Sequence, residues 1–106
     1  MILKGLDGIV FVADSQKERM EENIASFKNL KTNLKQQGYD IEKVPLVIQY
    51  NKRDLTNAVS IQELRLALNE YNSPDFEAVA STGDGVEETF KTIAKKIVTI
   101  LKGNEV

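Results

Sequence analysis

The sequence predicts an α/β fold built on a three-stranded parallel sheet, and three observations carry that prediction. Short runs rich in β-branched residues alternate along the chain with longer segments of helical periodicity. The runs are apolar throughout rather than at every second position, the pattern of strands covered on both faces. Each helical segment separates two runs by far more than a hairpin loop, so right-handed crossovers lay the strands parallel, with helices over the sheet.

The elements follow in order. Gly8 to Ala13 (GIVFVA) is the first strand, bounded by Asp7-Gly8 and Asp14-Ser15. Ser15-Gln16-Lys17-Glu18 fits a capping box, in which the serine accepts from an early amide and the glutamate reaches back. Asp14 and Ser15 are accordingly expected to cap a helix. Met20, Ile24, Phe27, Leu30 and Leu34 then recur at intervals of three and four as its apolar stripe, and Gly38 ends it. Leu46 to Tyr50 is the second strand. Ser60 to Glu63 is a second capping box, leading a stripe of Ile61, Leu64, Leu68 and Tyr71 that Asn72-Ser73-Pro74 breaks. Phe76 to Val79 is a short third strand. Gly83-Asp84-Gly85 turns into a last helix with the stripe Val86, Phe90, Ile93, Ile97 and Leu101, and the phenylalanines are expected in the core.

The 106 residues suit one domain over 1–102, with 103–106 a frayed tail. Apolar residues make up 42% and charged residues 28%, a balance that can fold rather than stay disordered. A net charge of −2 speaks against a nucleic-acid footprint or a polybasic membrane anchor. No apolar run is long enough to span a bilayer and no signal-peptide pattern opens the chain, so a cytoplasmic location is expected. Cysteine and histidine are both absent. That excludes disulfides, thiol or histidine-assisted catalysis and a conventional zinc site. Chemistry is left to carboxylates, hydroxyls, lysines, backbone amides, or a cation held by oxygen ligands.

In open α/β sheets ligands bind beyond the carboxyl ends of the strands, which singles out the loops at Asp14-Ser15, Asn51 to Asp54, and Ala80 to Gly85. Asn51-Lys52-Arg53-Asp54, directly after a hydrophobic strand, matches the N-K-x-D base-recognition motif of guanine-nucleotide-binding proteins. One helix and one strand later comes Glu77-Ala78-Val79-Ala80-Ser81, followed by Gly85-Val86-Glu87. It resembles the second guanine loop of Ras-like GTPases, usually E-T-S-A-K. Both motifs in order are far more specific than either alone. The wider text, LKGLDGIVFVADS through VIQYNKRDL, resembles the bacterial gliding-motility and cell-polarity small GTPases of the MglA type over nearly the whole chain, but over only the second half of that family's domain.

The resemblance implies a three-layer βαβαβα half of a P-loop GTPase (Rossmann-like) fold. It implies a guanine site at Asn51, Lys52, Asp54, Ala80 and Ser81, with no catalytic and no metal residue. Asp54 would accept from guanine N1–H and the exocyclic amine, Asn51 would brace the loop and touch the base, and the Lys52 stem would lie over the ring. The Ala80 amide would donate to O6. Arg53 fills the variable position and receives no task beyond solvation. Val79 departs from the serine that commonly braces this loop, and Ser81 from a lysine that often covers the base.

No G-x-x-x-x-G-K-[ST] phosphate loop occurs in the sequence. By resemblance that loop, the switch threonine and the D-x-x-G segment would precede Met1. GTP or GDP is therefore expected to bind weakly, or only with a complementing half, and Mg²⁺ is not expected to be held by this chain alone. Nor is hydrolysis expected of it. The strand at Ile9 to Ala13 would be left with a bare edge, and either a homodimer or an N-terminal GTPase half is expected to cover it. The alternative is a non-enzymatic interaction or scaffold module that has lost nucleotide. A signalling receiver is disfavoured, because no acidic cluster follows the first strand.

Overall fold

The structure, a computed structural model, describes residues 8–103, with the backbone alone described from residue 100. Three parallel strands form one sheet in the order β1 (Ile9–Asp14), β2 (Leu46–Asn51), β3 (Asp75–Glu77). The helices are α1 (Met20–Gln36), α2 (Ile61–Leu68) and α3 (Val86–Gly103). Two successive right-handed crossovers stepping the same way along the sheet put α1 and α2 on one face. There Phe27, Leu34, Leu64 and Leu68 pack on Ile9, Ala13, Leu46, Ile48 and Tyr50. α3 covers the opposite face, where the Gln49 amide of β2 donates to Thr89 Oγ1 at 3.0 Å. The predicted class, α/β with a parallel three-stranded sheet, is what forms.

Sandwiched between the two helical layers, β2 is the most buried element, and five of its six residues are buried regardless of side-chain alternation. α2 begins as expected, with Ser60 Oγ accepting from the Glu63 amide at 3.3 Å. It stops at Leu68, before the Asn72-Ser73-Pro74 breaker, because Asn69 turns its side chain onto Ser73 and Asp75. Tyr71, past the helix end, still reaches the core and lies over Phe27 with ring centroids 6.5 Å apart. β3 ends at Glu77 rather than Val79, since the Val79 amide bonds back to the Asp84 carbonyl in the following turn.

Three expectations are corrected. Ser15 does not cap a helix. Its backbone continues the strand, donating to the Asn51 carbonyl and accepting from the Val59 amide, so its side chain is drawn fully into the interior. The chain then makes a short 3-10 turn over Lys17–Arg19, and α1 starts at Met20 without a side-chain cap. Ile24 is exposed, whereas Asn23 is buried. The Asn23 amide closes a pair of hydrogen bonds with the main chain of Asp14, accepting from its N–H at 3.2 Å and donating to its carbonyl at 2.7 Å. Phe90 is not core. α3 turns Thr89 and Ile93 onto the sheet, and Phe90 stands 56% exposed. Of the other phenylalanines, Phe27 is buried, Phe11 packs edge-on against it, and Phe76 is half-buried. The side chain of Leu101 and the tail beyond Gly103 lie outside the described residues.

β1 lies at the edge of the sheet among the described residues. The amides of Ile9 and Ser15 bond toward β2, to Pro45 and Asn51. In a parallel ladder the main-chain groups of alternate residues face opposite ways, so Val10, Val12 and Asp14 face outward. Asn23 satisfies Asp14, which leaves the Val10 and Val12 rungs open among the described residues.

At the start of β3, Asp75 accepts from the buried Tyr50 hydroxyl at 2.9 Å, from Arg65 Nε and Nη2, and from Asn69. Burial pushes the Asp75 carboxyl up, but these donors outweigh it and hold it below its ordinary value. Burial, with that carboxylate beside it, raises the Tyr50 hydroxyl well above the ordinary tyrosine range. A carboxyl lowered by folding contributes stability that is present above its unfolded value of 3.8 and lost as the pH falls through the folded one. Thermal melts between about pH 3 and pH 7 should therefore show a fall on the acid side that Asp75→Asn flattens. Removing the acceptor altogether, as Asp75→Ala, should cost about 2–3 kcal/mol, because the Tyr50 hydroxyl is left buried and unpaired.

Candidate guanine-binding site

The carboxyl ends of the strands meet at a pocket of about 270 Å³, lined by Asn51, Lys52, Asp54, Leu55, Val79, Ala80 and Ser81. All five residues singled out in the sequence line it. Leu55 and Val79 were not singled out and add apolar wall. Only the direct succession of Leu55 to the motif, and the apolar Val79 in a polar loop, could have signalled them.

The first loop is shaped by Asn51, the last residue of β2. Its Oδ1 accepts from the next amide, Lys52 N–H, at 2.9 Å and from the Ala80 amide at 3.0 Å. One side chain thus turns its own loop and ties it to the second. Lys52 adopts φ 61°, a left-handed conformation unusual for a residue with a side chain, and its carbonyl accepts from Leu55 N–H at 3.2 Å. Strain of that kind is held in place only by firm surroundings. Here they are the Asn51 brace and an ion pair from Lys52 Nζ to Asp14 Oδ2 at 2.9 Å.

Asp14 is therefore part of the site's support as well as the end of β1. It accepts from both the main-chain and the side-chain N–H of Gln16. Burial raises its carboxyl, but the hydrogen bonds from Lys52 and Gln16 win and hold it below the usual range. Arg53 is occupied too, with Nε on Glu77 Oε1 at 3.1 Å.

Both cations of the motif are thus committed to other carboxylates, and Asp54 is not. Among the described residues its exposed carboxylate meets no hydrogen-bond donor and no cation. A carboxylate left open beside an apolar pocket can accept two parallel N–H bonds from a planar ligand. Opposite it, the Ala80 amide is held by Asn51, while the Ser81 amide has no acceptor among the described residues. The second loop closes on itself at Thr82, whose single hydroxyl proton has two acceptors within reach, the Val79 carbonyl at 3.2 Å and Asp84 Oδ2 at 3.1 Å.

Among the described residues no group of three or more His, Cys, Asp or Glu could hold an ion. None of the described helices is long and apolar enough to cross a membrane.

A parallel sheet ending in two linked loops, one carrying N-K-x-D, has the pattern of a small GTPase domain. The chain belongs to the ADP-ribosylation factor family, whose profile matches residues 2–97. It is 61% identical over 102 residues to the mutual gliding-motility protein MglA of Myxococcus xanthus (strain DK1622), covering 96% of this chain and 52% of MglA. It is 35% identical over 99 residues to ADP-ribosylation factor-like protein 4A of Homo sapiens and of Mus musculus, covering 87% of this chain and 47% of each. The chain thus spans about half the length of these relatives.

Proposed function

We propose that this chain is the guanine-recognising part of a Ras-like GTPase domain. The observation that supports the reading best is the open Asp54 carboxylate in a pocket whose neighbouring cations are all paired elsewhere. Guanine offers adjacent donors at N1 and the exocyclic amine, and Asp54 accepts both. The Lys52 stem, held out toward Asp14, lies along the ring. Guanine O6 takes or shares the Ala80 amide now held by Asn51, with the Ser81 amide beside it. Adenine would present an acceptor at N1 to the carboxylate and no amine, and would leave the charge unpaired. Titration with a fluorescent GDP analogue, with ATP as competitor, tests this. Displacement by GDP but not by ATP is expected, whereas no binding at high micromolar protein would instead support an interaction module without nucleotide.

The described residues supply the base contacts, and the phosphates and Mg²⁺ need another segment. We propose that this segment, continuous with the present chain or separate from it, adds to β1 along the open rungs of Val10 and Val12. Support comes from the bare edge Ile9 to Ala13, from the exposure of Val12 at 54%, and from relatives about twice as long. An exposed β-branched edge is a template for a further strand. Adding the part of MglA that this chain does not match should give a complex by light scattering and tighten GDP binding, and Val12→Lys should weaken both effects. A stable dimer of this chain alone would assign the edge to a second copy. A monomer indifferent to the added segment would sink the proposal. Hydrolysis, which depends on electrostatic stabilisation of the transferring phosphoryl group, is expected only in the completed domain.

A further inference from the structure

Arg53 occupies the free position of the N-K-x-D motif, yet it bonds to three residues outside the loop. Its side chain is 19% exposed. Nε donates to Glu77 Oε1 at 3.1 Å, an Nη donates to the Val59 carbonyl, and its amide donates to the Ala78 carbonyl at 3.2 Å. These contacts reach the last residue of β3, the first residue beyond it, and the segment that leads into α2. As a stabilising device the ion pair is weak, because the Glu77 side chain is 58% exposed and such pairs contribute little in water. As a spacer it is well placed. Glu77 and Ala78 lie immediately before the loop that carries the Ala80 and Ser81 amides, and Asp54 immediately follows Arg53.

We propose that Arg53 is a positioning residue for the pocket: it holds the Asp54 carboxylate and the second-loop amides at the separation a purine needs. The inference rests on the guanine reading above. A purine is gripped on two edges, by Asp54 at N1 and the 2-amino group and by the amides at O6, and the two grips sit on different loops. Among the described residues two ties join those loops, Asn51 Oδ1 to the Ala80 amide, and Arg53 through Nε to Glu77 and its amide to the Ala78 carbonyl. The guanidinium suits the task because its planar donors point in fixed directions at once, which a lysine ammonium on a flexible stem cannot reproduce. Loosening the second tie blurs the bidentate pair at Asp54 more than it weakens general attraction. Ligands with both guanine donors should therefore suffer more than ligands with one.

The test compares the unaltered chain with Arg53→Ala and Arg53→Lys, using fluorescent GDP and its inosine counterpart, which lacks the 2-amino group. Amide hydrogen exchange over residues 78–82 is followed in parallel. Arg53→Ala should lose about tenfold in GDP affinity, the effect of one well-placed charge-assisted hydrogen bond. Its preference for GDP over the inosine analogue should shrink, and exchange at Ala80 and Ser81 should quicken while α1 keeps its protection. Arg53→Lys should recover less than half of the lost affinity. Unchanged exchange at Ala80 and Ser81, an unchanged GDP-to-inosine ratio, or full rescue by lysine would each overturn the proposal. If the unaltered chain binds neither nucleotide, the guanine reading falls and with it the ligand half of the proposal, while the exchange result still decides for or against the clamp.

Discussion

Asp54→Asn is expected to destroy the preference for guanine and transfer it to xanthine. An asparagine presents one acceptor and one donor where the carboxylate presented two acceptors, so its N–H₂ faces the exocyclic amine of guanine, donor against donor. Xanthine carries a carbonyl at that position, and the new amide matches it, donating to O2 while accepting from N1–H. Losing a bidentate charge-assisted contact in a site built around it is a change of roughly 10²–10³ in affinity. The fold should not notice, because the Asp54 side chain touches no donor or cation among the described residues. A melting midpoint within a degree or two of the unaltered chain, on the order of what an uninvolved surface change produces, should accompany the loss. The check is competitive titration with the guanosine and xanthosine diphosphates. Unaltered GDP affinity in Asp54→Asn would remove Asp54 from the site and with it the proposed function.

That substitution can be designed from the sequence because the residues concerned act through local geometry. N-K-x-D follows a strand directly, and the strand is recognisable because β2 is apolar without alternation. The Ser60 capping box and the apolar faces of Phe27, Leu34, Leu64 and Leu68 are likewise decided within a few residues of chain. What was not legible depends on distant partners. Ser15-Gln16-Lys17-Glu18 reads as a capping box in isolation, but the Asn51 carbonyl and the Val59 amide capture the Ser15 backbone first and leave its hydroxyl buried without a partner among the described residues. Asn23 looks like a polar interruption of a stripe until the outward-facing main chain of Asp14 is placed beside it. Phe90 has the right period for the core, yet periodicity cannot say which neighbour along the helix meets a narrow sheet. The Gln49–Thr89 hydrogen bond decides it. Arg53 and Asp14 are the same kind of case. Their roles come from residues 24 and 38 positions away, Glu77 and Lys52.

The largest loss of stability is expected from Gly85→Ala, with Gly83→Ala, two residues earlier, as its control. Both glycines have left-handed φ, +76° and +85°, so in each an alanine carries a conformational penalty of about 1–2 kcal/mol. They differ in what a Cβ would meet. At Gly83 nothing lies within 4 Å, whereas at Gly85 the new atom would stand 1.9 Å from the Glu77 carbonyl oxygen. The turn cannot simply back away, because the Gly85 carbonyl accepts from the Thr89 hydroxyl at 2.7 Å, and that hydroxyl accepts from Gln49 in the centre of the sheet. Relief must come from displacing Glu77, the residue that Arg53 grips just ahead of the second base loop. Gly85→Ala should therefore lower the unfolding free energy by more than about 3 kcal/mol, a large share of what holds a small domain together. It should also weaken guanine binding in whatever fraction stays folded. Urea denaturation of the two variants separates the contributions: equal midpoints would mean that left-handed strain is the whole cost, and that the close approach of this turn to β3 does not shape the pocket.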